Sequence, residues 1–220
     1  MQLTQAAQPA EYKQVTVLFA DVVHSMEIAA AVGAERLREI MADLVDRAVM
    51  VVQRYRGTVD KFTGDGVMAV FGAPVALEDH AIRACLAALG LQEAAQLLAI
   101  NVRALDGVDL QLRVGLNSGQ VIAGEIGSGP LGYTAIGEQV GMAQRMESVA
   151  PPGGVMLSDS TAKLVANTVV LGDPETGSHQ RWEHGDRQAL AGNRRASAAS
   201  PHRIETGRTY LGTHDRRRDS

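Results

Sequence analysis

One cysteine, few aromatics and no long apolar run set limits on this sequence before any motif is read. Cys85 stands alone, so an internal disulfide is excluded and a reducing compartment, the cytoplasm, is expected. Aromatic residues make up only 4%, which leaves Ala, Val, Leu, Ile and Met to build the core. No run approaches the ~20 consecutive apolar residues of a membrane span, and the N-terminal MQLTQAAQPAEYKQ lacks the apolar segment of a secretory leader. No membrane partner is therefore expected. The net charge of -4 gives no global attraction for nucleic acid.

What is present fits one ordinary domain. At 220 residues, 45% hydrophobic and 21% charged, the chain is long enough for a single core with appendages but short for two full domains. Residues 1–14 are polar and contain Pro9, the composition of a flexible lead-in. Residues 15–20, VTVLFA, form an apolar run ending at Asp21, as a central strand with a carboxylate at its carboxyl end.

Leu37, Ile40, Met41, Leu44, Val45, Ala48 and Val52 recur at three and four, which predicts a long amphipathic helix stopped at Gly57. A second helix opens at Glu78 and Asp79 and runs to about residue 100. Residues 110–116 alternate as a strand, and Asn117-Ser118-Gly119 read as the turn of a hairpin leading to a partner strand at 120–126. Residues 131–136 read as extended, 137–149 as a helix, 155–157 as a strand and 160–165 as a short helix, before an apolar run at 169–171. This order predicts an α+β sandwich of the ferredoxin-like or palm type: a mainly antiparallel sheet with helices on one face.

The composition changes after Leu171. Residues 172–220 carry nine arginines against seven Asp and Glu, and their only aliphatic residues larger than Ala are Leu190, Ile204 and Leu211. That is too little to build a core, so a disordered, solvated tail is expected and the domain is bounded at 15–171.

Between the two long helices lies DKFTGDGVMAVFG, two apolar runs joined by Gly64-Asp65-Gly66, with Lys61 four residues before Asp65. It reads as a hairpin in which both glycines allow positive φ, and an aspartate on such a turn is a good metal ligand. Asp-Gly is equally the commonest purely structural hairpin signal. The wider pattern favours chemistry: LFADVV with Asp21, the hairpin with Lys61 and Asp65, and YTAIGEQVGMAQRMES with Thr134 and Arg145 follow in order along the chain.

Together these segments, with GAPVALEDHAIRACLAAL and RVGLNSGQVIAGEIG, resemble the catalytic domain of class III nucleotidyl cyclases from about residue 15 to residue 171. The resemblance implies attack of a ribose 3′-hydroxyl on the α-phosphate of its own nucleoside triphosphate. It implies two Mg²⁺ or Mn²⁺ ions per site, held by Asp21, Asp65 and the backbone carbonyl of Val22. Lys61 and Thr134 would read the base. An ammonium and a hydroxyl match the N1 acceptor and 6-amino donor of adenine, whereas guanine reverses both.

ATP is therefore the implied substrate and 3′,5′-cyclic AMP the product, although Thr134 replaces the family's commoner Asp. Arg145 would neutralise charge on the α-phosphate. Gly141 stands where the family carries an asparagine, so a slow enzyme is expected, the loss of one positioning group costing about 10²–10³-fold. His24 occupies the place of a usual glycine and reads as a turn residue, and Gln120 the place of a phosphate-binding arginine. The family's sites lie between two domains, which implies a head-to-tail homodimer. The alternative is a catalytically silent cyclase-homology domain that binds nucleotide or regulates a partner.

Overall fold

In the computed structural model of this chain, residues 11–125, 133–172 and 201–204 are described. The elements are β1 (Glu11–Val22), α1 (Ser25–Val32), α2 (Ala34–Arg54), β2 (Thr58–Phe62), β3 (Gly66–Phe71), α3 (His80–Asp106), β4 (Leu112–Glu125), β5 (Tyr133–Ile136), α4 (Glu138–Val149), β6 (Val155–Leu157), α5 (Asp159–Val165) and β7 (His202–Arg203). One sheet runs β2-β3-β1-β4-β6-β7, with β5 also pairing β4. Every pairing is antiparallel except β4 with β6.

Strand β1 lies between β3 and β4 and divides the core by its alternation. Leu18 and Ala20 pack with Ala48 and Val52 of α2 and with Ala84, Ala88 and Leu91 of α3. Val15, Val17 and Phe19 point the other way, with Met68, Val70 and Ala143 of α4. The α+β, mainly antiparallel architecture expected from the sequence is present, and α4 adds cover to the second face. Small residues on α3 let that helix lie close to the sheet. Its length and composition would allow it to cross a membrane, but Ala81, Ala84, Cys85, Ala88 and Leu91 are used here in the core beneath the sheet.

Three boundaries differ from the sequence reading, each for a visible reason. Residues 110–126 are not a hairpin: β4 is a continuous strand whose register with β1 runs from Leu112 opposite Val22 to Ala123 opposite Glu11. Turn residues keep their side chains in water, yet Asn117 and Ser118 are 1% and 2% exposed. Asn117 Nδ2 donates to the Gln139 carbonyl at 2.9 Å, and its Oδ1 accepts from Ser158 at 2.6 Å. Ser118 Oγ lies 2.7 Å from Thr16 Oγ1. These tertiary bonds override the local turn preference.

The lead-in is likewise shorter than residues 1–14, because Glu11 to Gln14 pair with the far end of β4. The stretch from 172 onward, expected to lie wholly outside the fold, returns to it. His202 and Arg203 pair with β6, Ile204 is 2% exposed, and its N–H donates to the Val155 carbonyl at 3.1 Å. Gly172 N–H donates to the Arg203 carbonyl at 2.9 Å. The expectation of disorder for the rest of that stretch falls on residues 173–200 and 205–220, outside the described residues.

Candidate active site

The carboxyl end of β1 and the turn between β2 and β3 meet by register. Asp21 stands opposite Gly66 on β3 and opposite Arg113 on β4. Val22 N–H donates to the Asp65 carbonyl at 3.1 Å, and Thr63 N–H to the Gly66 carbonyl at 3.0 Å, which closes the turn. Gly64 has φ +96°, a conformation costly for other residues. Gly66 does not share it, contrary to expectation. Its need is for space: a Cβ there would collide with the Ala20 carbonyl and reach 2.8 Å from Asp21 Oδ1.

Asp65 is fixed from the other side by Ser25 at the start of α1, whose hydroxyl donates to Oδ2 at 2.6 Å. The chain reaches Ser25 through His24, in the left-handed region with φ 56°. The His24 ring lies 3.1 Å from Glu27, with both side chains largely exposed, so His24 acts as a turn residue, as its place in the sequence suggested.

Four charged groups share this end of the sheet. Arg113 reaches Asp21 Oδ2 at 3.8 Å and Glu147 Oε1 at 3.1 Å. Glu147 is 6% exposed and lies on the stripe of α4 that also carries Val140 and Ala143. That stripe presses on Gly115 of β4, where a Cβ would collide with the Glu147 N–H and the Ala143 carbonyl.

Burial, proton sharing with Asp65 and the charges of Asp65 and Glu147 push the Asp21 carboxyl up to about 6, against the lowering effect of Arg113. Burial also pushes on Asp65, but the hydrogen bonds from Ser25 and Asp21 and the charge of Arg113 outweigh it and hold Asp65 below the usual carboxylate range. Burial raises the Glu147 carboxyl. Asp21 Oδ1 is buried and has no hydrogen-bond partner.

The chemistry of this donor set fits a hard divalent cation. Mg²⁺ is commonly held by one or two carboxylates, with phosphate oxygens and water completing its shell. Asp21 and Asp65 provide that pair, and the unsatisfied Asp21 Oδ1 leaves an acceptor for it. No cluster of three or more His, Cys, Asp and Glu suited to a metal occurs among the described residues, so water or substrate oxygens would complete the shell of any ion held here.

The other sequence-selected residues are arranged differently. Lys61 follows a register shift between Val59 and Lys61 that leaves Asp60 as the extra residue of β2. Asp60 is 5% exposed, and the half-exposed Lys61 Nζ lies 3.5 Å from its Oδ2. Such a bulge re-aims the next side chain. Thr134 lies on β5 opposite Gly124, and β5 contacts β2, so Lys61 and Thr134 belong to neighbouring elements.

Gly141 and Arg145 occupy successive turns of α4 and are exposed. A Cβ at Gly141 would meet nothing within 4 Å. Arg145 has no ion pair among the described residues. The structure thus brings Asp21, Val22 and Asp65 together and leaves Arg145 facing outward.

Ser25, Arg113 and Glu147 were not selected from the sequence. Arg113 was visible only as the polar partner in an alternating strand, and Glu147 as a charge at helical spacing from Val140 and Ala143.

The sequence model of the adenylate and guanylate cyclase catalytic domain matches residues 7–181. The chain belongs to that family. It is 30% identical over 151 residues to adenylate cyclase 1 of Rhizobium meliloti (strain 1021), covering 68% of this chain and 23% of that protein. It is 33% identical over 160 residues to guanylate cyclase soluble subunit beta-2 of Rattus norvegicus, covering 71% and 23% respectively. The chain thus spans about a quarter of the length of these curated relatives. In fold, this cyclase domain is similar to the crystal structure of the adenylyl cyclase CyaB from P. aeruginosa, with TM-score 0.78 and 24% identity over 93% of this chain and all of the other. Adenylate and guanylate cyclases both appear among these relatives, so the base is not decided by family membership.

Proposed function

We propose that this domain converts ATP to 3′,5′-cyclic AMP and pyrophosphate, slowly, in a cytoplasmic head-to-tail homodimer. The observation that carries the proposal is the buried, unsatisfied Asp21 Oδ1 at the end of β1, where the register with β3 brings it to the turn that carries Asp65. Asp21, Asp65 and the Val22 carbonyl would hold two Mg²⁺ or Mn²⁺ ions. When bound, such ions acidify the ribose 3′-hydroxyl and offset charge on the phosphates.

The remaining roles fall to Lys61, Thr134 and Arg145. Lys61 would donate to N1 of adenine while Asp60 holds its ammonium in place, and the Thr134 hydroxyl would accept from the 6-amino group. Guanine would set an N–H against the ammonium, which leaves buried polar groups unpaired. Arg145 would offset the charge that grows as the 3′-oxygen bonds to the α-phosphorus and the bond to pyrophosphate breaks. Gly141 supplies no side chain to orient the ribose, which is why slow turnover is proposed.

Both half-sets occur on one chain, with Arg145 outward and unpaired among the described residues. That supports assembly of each site from two copies. A second reading, a nucleotide-binding domain without turnover, is favoured by Gly141 alone.

The deciding experiment incubates purified protein with ATP or GTP and Mn²⁺, with Asp65→Ala alongside, and identifies products by mass spectrometry. Cyclic AMP from ATP, absent with Asp65→Ala, is the expected result. Cyclic GMP as main product would overturn the base assignment, and no cyclic nucleotide above the variant would overturn the enzyme reading.

A further inference from the structure

Arg113 stands between two carboxylates that compete for it. Its guanidinium is permanently charged and carries five donors, a geometry suited to closing on a carboxylate with two parallel hydrogen bonds. Asp21 is directly opposite in the strand register, so it is the natural partner for such closure. The structure places Arg113 elsewhere: Nε is 3.1 Å from Glu147 Oε1, while the nearest approach to Asp21 is 3.8 Å, to Oδ2. Asp21 Oδ1 keeps no hydrogen bond at all.

Glu147 is well suited to hold the arginine. Its side chain is 8% exposed against 30% for Arg113, and its backbone is fixed where α4 presses on Gly115. A buried carboxylate needs a cation beside it, and Arg113 is the cation within reach. Neither Arg113 Nε nor Glu147 Oε1 completes an aligned hydrogen bond, so the balance between the two carboxylates rests on charge rather than on a locked hydrogen-bond geometry.

We propose that Glu147 is a positioning residue that holds the Arg113 guanidinium off Asp21 and so keeps the Asp21 carboxylate open to a cation. This rests on Asp21 and Asp65 being the metal carboxylates. Without the Glu147 charge, Arg113 would close on Asp21 and occupy the lone pairs a metal uses. Glu147 follows Arg145 by two residues on α4, so the same helix would carry the transition-state arginine and the residue that keeps the metal side open.

The test uses the full chain and Mn²⁺ alone, with binding read from the electron paramagnetic resonance signal of the free ion. The proteins are the unsubstituted chain, Glu147→Gln, Arg113→Gln, the double variant, and Asp65→Ala as control. Glu147→Gln should weaken Mn²⁺ binding by about tenfold. Arg113→Gln should bind as tightly as the unsubstituted chain or more tightly. The double variant should recover to within about threefold of it, since removing the arginine removes the competitor.

A purely structural Glu147–Arg113 pair gives a different pattern: Arg113→Gln weakens binding, or the double variant binds no better than Glu147→Gln. Either result overturns the proposal, as does a Glu147→Gln variant that binds normally. If Glu147→Gln does not fold, Arg113→Gln decides alone, weaker binding overturning the proposal and equal or tighter binding supporting it. An unsubstituted chain that binds no better than Asp65→Ala overturns the metal assignment itself, and this proposal with it.

Discussion

Asp21 ends a strand in register with β3, and Asp65 sits in the turn that leads into β3, with Ser25, Arg113 and Glu147 arranged around them. Lys61 and Arg145 are exposed, and Arg145 has no ion pair among the described residues. One half of the chemistry is thus organised inside the chain and the other is presented outward. Organisation within the chain suits groups that must hold a fixed charge geometry before substrate arrives. Outward presentation suits groups that complete a site on another surface. On the proposed reading, the difference means that one chain carries the residues of an active site that a second copy completes.

The comparison breaks most readily at Arg145. Arg145→Ala should lower kcat by about 10²–10³-fold with Mn²⁺ binding unchanged, because its proposed role is on the transferring phosphate and not on the carboxylates. Equal losses in turnover and metal binding would show that the two halves are one unit. Lys61→Glu should lower the preference for ATP over GTP by about 10²-fold in kcat/KM if Lys61 reads the base, since polar groups left unpaired against a bound base discriminate strongly. An unchanged preference would move base recognition elsewhere.

Gly141→Asn sharpens the comparison from the opposite direction. There is room for a side chain at Gly141, and the substitution also removes a helix-weakening residue. Turnover should rise by about 10²-fold. An unchanged kcat would show that the glycine does not limit the reaction.

The smallest effect is electrostatic. In the metal-free protein the Asp21 carboxyl lies at about 6, above its ordinary 3.8. A carboxyl raised on folding contributes stability that is fully present below the unfolded value and is lost as pH rises through the folded one. The melting temperature of the metal-free chain should therefore carry a downward component between about pH 4 and 6, absent in Asp21→Asn. The stabilisation gained on adding Mn²⁺ should be larger at pH 7 than at pH 5, because metal and proton compete for the same oxygens.

How much of this was legible in the sequence followed the range of the forces involved. Asp21, Lys61 and Asp65 stand at strand ends and in a turn, where short motifs carry the information. The helices α2 and α3 announced themselves by periodicity, and the antiparallel sheet by alternation. The N-S-G triplet misled because its turn preference is local, whereas the bonds of Asn117 to α4 and of Ser118 to Thr16 are tertiary. Ile204 was hidden by the long polar stretch before it, although a single buried aliphatic and a few backbone bonds suffice to add an edge strand. Arg113 and Glu147 were missed because neither is unusual alone. Only the register of β4 against β1 and the pressing of α4 on Gly115 bring them to Asp21.

The central claim, that each site is completed by a second copy, is tested most directly by mixing two inactive chains. Asp65→Ala removes the carboxylate half and leaves Arg145 intact, while Arg145→Ala does the reverse. In a randomly paired equimolar mixture, half of the dimers are mixed, and each has one of its two sites built wholly from unsubstituted residues. Cyclase activity should therefore return to about a quarter of that of the unsubstituted protein, from two preparations that are each nearly silent. A mixture no more active than its components would contradict the account and place both halves of the chemistry within a single chain.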